Sequence, residues 1–96
     1  MILSFGDATT QEAFHGGDSA ALRRLDAGIL KVVRQKLDLL NAACDLRDLR
    51  VPPGNRLEKL AGDLAGRWSI RVNDQWRLIF KWEGGNAYDV QLIDYH

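Results

Sequence analysis

The 96-residue sequence lacks several features that mark particular classes of protein. Its single cysteine, Cys44, cannot form a disulfide within the chain, and no group of Cys and His residues has the spacing of a zinc site. No apolar run approaches the length of a membrane span. The residues after Met1 lack the basic start and the long apolar stretch of a signal peptide. We therefore expect a cytoplasmic protein with no membrane segment, no metal and no other cofactor.

The sequence also lacks an excess of charge of either sign. Its 13 basic and 13 acidic residues balance one another. Binding to nucleic acid by bulk electrostatics needs clustered Lys and Arg, so this balance argues against that class of protein. The balance does not exclude a local basic patch that forms when the chain folds. The length and the absence of internal repeats indicate one domain over residues 1–96.

The first half of the chain is predicted to be mostly helical. Residues 2–5 read as a short strand, and a short helix is expected over residues 10–15. A stronger helical signal over residues 20–43 comes from an apolar stripe at steps of three and four: Leu22, Leu25, Ile29, Val32, Val33, Leu37 and Leu40. Asp26 and Gly28 indicate a break near residues 25–28, and the better formed helix should run from about Ala27 to Ala43.

The second half changes to the period of two that is typical of β-strands. Strands are predicted over residues 56–61, 67–72, 76–82 and 88–93, and Gly84-Gly85 favours a hairpin turn. One face of this sheet is apolar and suited to receive the long helix: Trp68, Ile70, Val72, Trp76, Leu78, Phe80, Trp82, Tyr88, Val90 and Leu92. The sequence therefore predicts an α+β fold in which an N-terminal strand and helices pack on one face of a small antiparallel sheet.

The opposite face of the predicted sheet carries positive charge. Alternation puts four cations there, with Asp89 as an acid: Arg67, Arg71, Arg77 and Lys81. A neutral protein would then present a basic sheet face, which is a candidate surface for an anionic ligand.

The last three residues, with Arg77, offer the groups for cutting RNA without a metal. His96 can take or give a proton near neutral pH, and Asp94 can orient it. Tyr95 offers a ring for stacking and a hydroxyl group. Arg77, on the neighbouring strand, can bind a phosphate and stabilise developing negative charge. A base would then take the proton of the 2′-hydroxyl group, which attacks the adjacent phosphate.

Three stretches make the sequence recognisable: Leu60–Asp63, Gly66–Phe80 and Asp89–His96. The Trp-Ser-Ile and Asn-Asp-Gln-Trp-Arg runs and the terminal Asp-Tyr-His are the specific parts of the pattern. The chain resembles the HigB-type branch of the RelE/ParE toxin superfamily, whose members are also called plasmid maintenance system killer proteins. The similarity extends over nearly the whole chain.

The resemblance implies a RelE-like fold and a toxin of a type II toxin–antitoxin system. Such a toxin is a ribosome-dependent mRNA endoribonuclease that needs no metal and inhibits translation and growth. Its partners would be the ribosome with mRNA in the A site and a HigA-like helix-turn-helix antitoxin. The toxin would bind operator DNA only through that antitoxin, and it would bind no membrane.

The resemblance also implies roles for individual residues. Arg77 corresponds to a phosphate-contacting arginine, and Asp94, Tyr95 and His96 correspond to a C-terminal catalytic group, with His96 as the proton-transfer residue. Five further cations are candidates for binding RNA: Arg56, Lys59, Arg67, Arg71 and Lys81.

The sequence departs from the family pattern at two positions. Glu58 stands where several relatives have His, and Ala61 stands where many have Lys. Glu58 is a candidate catalytic base in place of an imidazole, but it cannot act as a cation. Two alternatives therefore stay open beside the nuclease: a ParE-like toxin that inhibits gyrase without cutting RNA, and a weakened toxin that mainly retains antitoxin binding.

Overall fold

Three α-helices precede a four-stranded antiparallel sheet in the computed structural model, which describes residues 1–95. The helices are α1 (Ala8–Phe14), α2 (Ala20–Arg23) and α3 (Ala27–Ala42), and the strands are β1 (Glu58–Lys59), β2 (Trp68–Arg71), β3 (Trp76–Glu83) and β4 (Asn86–Asp94). Short 3₁₀ helices lie in the connecting segments at Leu46–Arg50, Pro53–Asn55 and Gly62–Leu64. The strands lie in chain order across the sheet. The predicted α+β class is therefore confirmed.

Each α-helix begins after a residue whose side chain caps its first turn. Asp7 accepts a hydrogen bond from the amide of Thr10 at 2.7 Å, and Asp26 accepts one from the amide of Gly28 at 2.7 Å. Such caps satisfy amide groups that have no partner within the helix. Asp26 therefore begins a new helix, which confirms the predicted break before α3. No helix in the described part of the chain is long and apolar enough to cross a membrane.

Helix α3 and the sheet enclose the hydrophobic core. Val33, Leu37 and Leu40 form the inner stripe of α3 and are fully buried. They belong to one cluster with four fully buried sheet residues: Ile70, Leu78, Phe80 and Val90. Burial of each such side chain stabilises the fold by about 1.5–3 kcal/mol. The predicted core tryptophans pack partly buried against this cluster: Trp68, Trp76 and Trp82.

A polar cluster around the buried side chain of Asn55 ties the segment that follows α3 to that helix. The side chain of Asn55 donates to the carbonyl groups of Leu49 at 3.1 Å and Val51 at 3.3 Å. Its Oδ1 accepts a hydrogen bond from the ammonium group of Lys36 on α3. We call Lys36, Leu49, Val51 and Asn55 the Asn55 cluster. Burial lowers the pKa of Lys36 below its ordinary value.

The strand predicted over residues 56–61 is reduced to Glu58–Lys59. Before it, Arg56 ends a 3₁₀ helix in a left-handed conformation with a φ of 45°. After it, the chain enters another 3₁₀ helix at Gly62. Both flanking conformations are incompatible with an extended strand, so the alternating pattern predicts too long an element.

A β-bulge at Asp89 changes which residues of β4 face the core. Asp89 has a φ of 52°, and the register with β3 shifts between Ile79 and Lys81. One extra residue in a strand reverses the alternation of its side chains. Tyr88 therefore lies opposite Lys81, and Ala87, which is fully buried, contributes to the core instead. The prediction that Tyr88 belongs to the apolar face is wrong for this reason.

The N-terminal segment pairs in parallel with β4, on either side of this bulge. Ile2 bridges Ala87 and Phe5 bridges Val90. Between these bridges, the hydroxyl group of Ser4 accepts a hydrogen bond from the amide of Asp89 at 2.9 Å. The bulge thus interrupts the ladder, and the predicted strand over residues 2–5 is present as two isolated bridges.

Candidate active site

Arg77 lies where three strands and the C-terminal segment meet. Its side chain on β3 is only 13% exposed. Its Nη1 donates to Ser69 Oγ on β2 at 3.2 Å, and its Nη2 lies 3.6 Å from Glu58 Oε1 on β1. The centre of the Tyr95 ring lies 4.9 Å from the guanidinium carbon. We call Glu58, Ser69, Arg77 and Tyr95 the Arg77 cluster.

The register of the sheet explains how this cluster forms. Ser69 pairs with Glu58 on one side and with Ile79 on the other. Paired residues share a face, and Arg77 stands two residues before Ile79, so all of them lie on the face away from α3. The sequence predicted Arg77 and Glu58 as functional residues but missed Ser69. Its signal was a small polar residue between Arg67 and Arg71 on the predicted basic face.

The guanidinium group of Arg77 keeps donors available for an anion. Among the described residues, every buried side-chain nitrogen or oxygen atom has a hydrogen-bond partner. The donors that Arg77 does not use for Ser69 therefore reach solvent. The separation of 3.6 Å from Glu58 is longer than a hydrogen bond. A phosphate can thus bind the guanidinium group while the Glu58 carboxylate stays near enough to accept a proton.

The C-terminal residues approach this cluster from the end of β4. Asp94 pairs with Trp76, so alternation directs it to the face of Trp76 and directs Tyr95 to the face of Arg77. The Tyr95 ring contacts the guanidinium group, and the residue remains 39% exposed. His96, the predicted proton-transfer residue, lies outside the described residues, and its role stays a prediction.

Counter-ions accompany most cations of the predicted basic face. Arg71 forms an ion pair with Asp74, and Lys81 lies 3.5 Å from Asp89. Arg67 forms no ion pair with the residues that the structure describes. The face is therefore less basic than the alternation of Lys and Arg suggests, because acids pair with its cations. Those acids lie in a turn and in the bulge, so the alternation does not reveal them.

Two of the predicted RNA-binding residues lie apart from the Arg77 cluster. Lys59 pairs with Trp68, and its ammonium group lies 5.8 Å from the centre of the Trp68 ring, on the core face of the sheet. Arg56 is exposed in the segment just before β1. The structure brings neither side chain into contact with Arg77, and their role in RNA binding stays a prediction.

A cavity of about 330 Å³ opens on the helical side of the sheet. Trp76 and Leu92 line it from the sheet, and Thr10 and Leu25 line it from the helical half of the chain. It contains no member of the Arg77 cluster. In residues 1–95, no group of three or more His, Cys, Asp and Glu side chains is arranged to hold a metal ion.

Known proteins are similar to this chain in sequence and in fold. A family model described as "RelE-like toxin of type II toxin-antitoxin system HigB" matches residues 3–96. Toxin HigB-1 of Vibrio cholerae serotype O1 is 42% identical over 92 residues, which cover 96% of this chain and 95% of that protein. Endoribonuclease HigB of Proteus vulgaris is 29% identical over 96 residues, which cover 100% of both chains. The YoeB-YefM complex from Staphylococcus aureus contains a similar fold, with a TM-score of 0.62 and 16% identity over 100% of this chain and 98% of that chain.

Proposed function

The chain belongs to the RelE-like HigB toxin family of type II toxin–antitoxin systems, and we propose that it is a ribosome-dependent mRNA endoribonuclease that stops translation and growth. The observation that carries this proposal is the guanidinium group of Arg77, which lies 3.6 Å from the carboxylate of Glu58 and 4.9 Å from the ring of Tyr95. A cation, a proton acceptor and a stacking surface thus surround one partly open position. The relative from Proteus vulgaris carries the name Endoribonuclease HigB, which supports the same reaction.

The proposed reaction is a transesterification within the RNA. Glu58 takes the proton of a 2′-hydroxyl group, and the 2′-oxygen forms a bond to the adjacent phosphorus. Arg77 binds the phosphate and stabilises the additional negative charge as it develops. The bond from phosphorus to the 5′-oxygen then breaks, and His96 gives that oxygen a proton. The products are a 2′,3′-cyclic phosphate and a free 5′-hydroxyl group.

The remaining cations of the sheet face bind the RNA backbone in this proposal. Arg67, with no ion pair among the described residues, is the best suited to a phosphate, whereas Arg71 and Lys81 must exchange a carboxylate for it. Exposed ion pairs contribute only about 0–1 kcal/mol, so this exchange costs little. The ribosome supplies most of the positioning, which suits a chain with balanced charge.

We propose a HigA-like helix-turn-helix antitoxin as the protein partner, with operator DNA bound only through it. A chain with a similar fold occurs in the YoeB-YefM complex from Staphylococcus aureus. That complex supports the proposal that this chain also binds a protein partner. We propose that this chain binds the antitoxin and the ribosome in the cytoplasm.

The test is cleavage of a defined mRNA on programmed ribosomes by the purified chain. We expect cuts in the A-site codon, with 2′,3′-cyclic phosphate ends, only when ribosomes are present. Arg77→Ala should lower the rate at least about 100-fold, the size typical for removing one stabiliser of a developing oxyanion. Arg23→Ala on α2 is the matched control, because Arg23 is exposed on the helical side of the molecule.

Two results would contradict the proposal. Growth arrest with a DNA-damage response and intact mRNA would indicate the gyrase-inhibiting alternative. Tight antitoxin binding without growth arrest or cleavage would indicate a chain that retains only the binding function.

A further inference from the structure

Gln75 holds the C-terminal segment in two ways. Its backbone carbonyl accepts a hydrogen bond from the amide of Tyr95 at 2.6 Å. Its side-chain Nε2 donates to Asp94 Oδ2 at 3.1 Å. One residue thus contacts both members of the predicted catalytic group that precede His96 in the chain. Gln75 belongs to the Asn-Asp-Gln-Trp-Arg run, and the sequence alone assigns it no role.

The turn that carries Gln75 is itself held in place by hydrogen bonds. Oδ1 of Asn73 accepts from the amides of Gln75 at 2.9 Å and Trp76 at 2.8 Å. The carbonyl group of Trp76 accepts from the amides of Val72 at 2.9 Å and Asn73 at 3.2 Å. An Asn side chain that mimics a turn in this way fixes the local backbone. The Gln75 side chain therefore projects from a rigid support.

We propose that Gln75 is a positioning residue that orients Asp94 and Tyr95 for the cleavage reaction. This inference rests on the proposed nuclease function. Tyr95 must keep its ring against the guanidinium group of Arg77, 4.9 Å away, while RNA enters and leaves. A segment at the end of a strand moves readily unless specific contacts hold it. The contacts of Gln75 limit this motion, and they do so without touching the substrate.

Catalytic groups work best when neighbouring contacts fix their orientation in advance. Loss of the Gln75 amide should therefore reduce the rate of the chemical step more than the binding of the ribosome. Because the backbone bond to Tyr95 does not depend on the side chain, a Gln75 variant should keep the fold and lose only the contact with Asp94.

The experiment compares three variants in the ribosome cleavage assay with kcat and KM measured separately. We expect Gln75→Ala to lower kcat about fivefold to tenfold, the size expected for one charge-assisted hydrogen bond, with KM changed less than about twofold. The nearly isosteric Gln75→Glu should lower kcat further, because it sets a carboxylate beside Asp94. Gln35→Ala, on the exposed face of α3, is the matched control and should match the wild type.

A double-mutant cycle with Asp94→Ala tests whether Gln75 acts through Asp94. In the Asp94→Ala background, Gln75→Ala should have almost no further effect on kcat. Equal losses in both backgrounds, or a loss confined to the melting temperature, would overturn the proposal.

A second readout separates this inference from the nuclease function. If the wild type cuts no RNA, the function fails, but the hydrogen bond can still be measured by the NMR signals of the Gln75 amide group. These signals should shift in Asp94→Ala and stay unchanged in Glu12→Ala, which alters a carboxylate on α1. Identical signals in all three proteins would overturn the proposed contact.

Discussion

The Arg77 cluster and the Asn55 cluster are each built around one polar side chain that the protein largely encloses, yet they differ in how many hydrogen-bonding groups they leave open to a ligand. In the Asn55 cluster, both functional atoms of the amide are bonded, and the side chain is fully buried. In the Arg77 cluster, one donor binds Ser69 and the nearest acid lies 3.6 Å away. The guanidinium side chain keeps 13% of its surface in contact with solvent.

The difference separates a structural cluster from a candidate catalytic one. A polar group whose hydrogen-bond partners all belong to the protein has no free donor or acceptor for a ligand. Its hydrogen bonds therefore stabilise the fold. A cation that is aimed by one strong contact but keeps exposed donors is oriented and still able to bind an anion. Mutations should therefore affect stability in one cluster and activity in the other.

The largest expected effect is on the cleavage rate, when the acid of the Arg77 cluster, Glu58, is replaced. Glu58→Gln keeps the size of the side chain and removes its ability to accept a proton. We expect the cleavage rate at pH 7.5 to fall about 100-fold, in the range for losing a general base, while the unfolding free energy stays the same. Single-turnover cleavage on ribosomes and urea denaturation measure the two quantities.

Glu58→Gln also tests whether the acid instead competes with the phosphate for Arg77. In that case the variant would cut RNA faster than the wild type, and the assignment of Glu58 as base would be wrong. The exposed Glu83 at the end of β3 offers a matched control, and Glu83→Gln should change neither rate nor stability.

The second prediction concerns stability in the Asn55 cluster. Asn55→Ala removes the partner of the Leu49 carbonyl group in a buried bond, and of the Val51 carbonyl and the Lys36 ammonium group in partly buried ones, so the unfolding free energy should fall by about 2–3 kcal/mol. Asn41→Ala, which removes a single bond to the amide of Ile2 at 3.0 Å, should cost only about 1 kcal/mol. Urea denaturation gives both values. The comparison of the clusters fails if Asn55→Ala reduces the cleavage rate per folded molecule.

A smaller effect is expected from the ring that covers Arg77. Tyr95→Ala should lower the cleavage rate about tenfold, because the guanidinium group loses a contact that limits its orientation. Tyr95→Phe keeps the ring 4.9 Å from the guanidinium carbon and should lose much less. A loss in Tyr95→Phe as large as in Tyr95→Ala would instead assign the function to the hydroxyl group.

Much of the fold follows from local rules that the sequence displays. Asp26 marks the start of α3 because capping depends on residues adjacent in the chain. Gly84 and Gly85 mark the hairpin because both adopt positive φ there, at 59° and 81°. The strand at β1 was predicted too long, and the bulge at Asp89 was missed. Both depend on backbone conformations that the alternation of side chains does not encode.

The site was predictable as a set of residues and much less as a set of contacts. Alternation placed Arg77, Arg71 and Lys81 on one face, as the structure has them. It gave no sign that Asp74 and Asp89 would pair with two of these cations, because turns and bulges decide where those acids lie. Ser69 and Gln75 were missed for a related reason, since each matters through a partner distant in the sequence.

The smallest expected effect tests whether burial of the charged Lys36 side chain in the Asn55 cluster lowers the stability of the fold. Because burial lowers the pKa of Lys36 below its ordinary value of 10.5, the folded chain should release this proton at a lower pH than the unfolded chain. The stability of the wild type relative to Lys36→Met should therefore rise as the pH increases from 7.5 towards 10.5, since the uncharged amine still donates to Asn55. Urea denaturation across this range measures the trend, with Lys31→Met on the exposed face of α3 as the control. A difference that falls with pH would mean that attraction to nearby acids, rather than burial, governs this lysine.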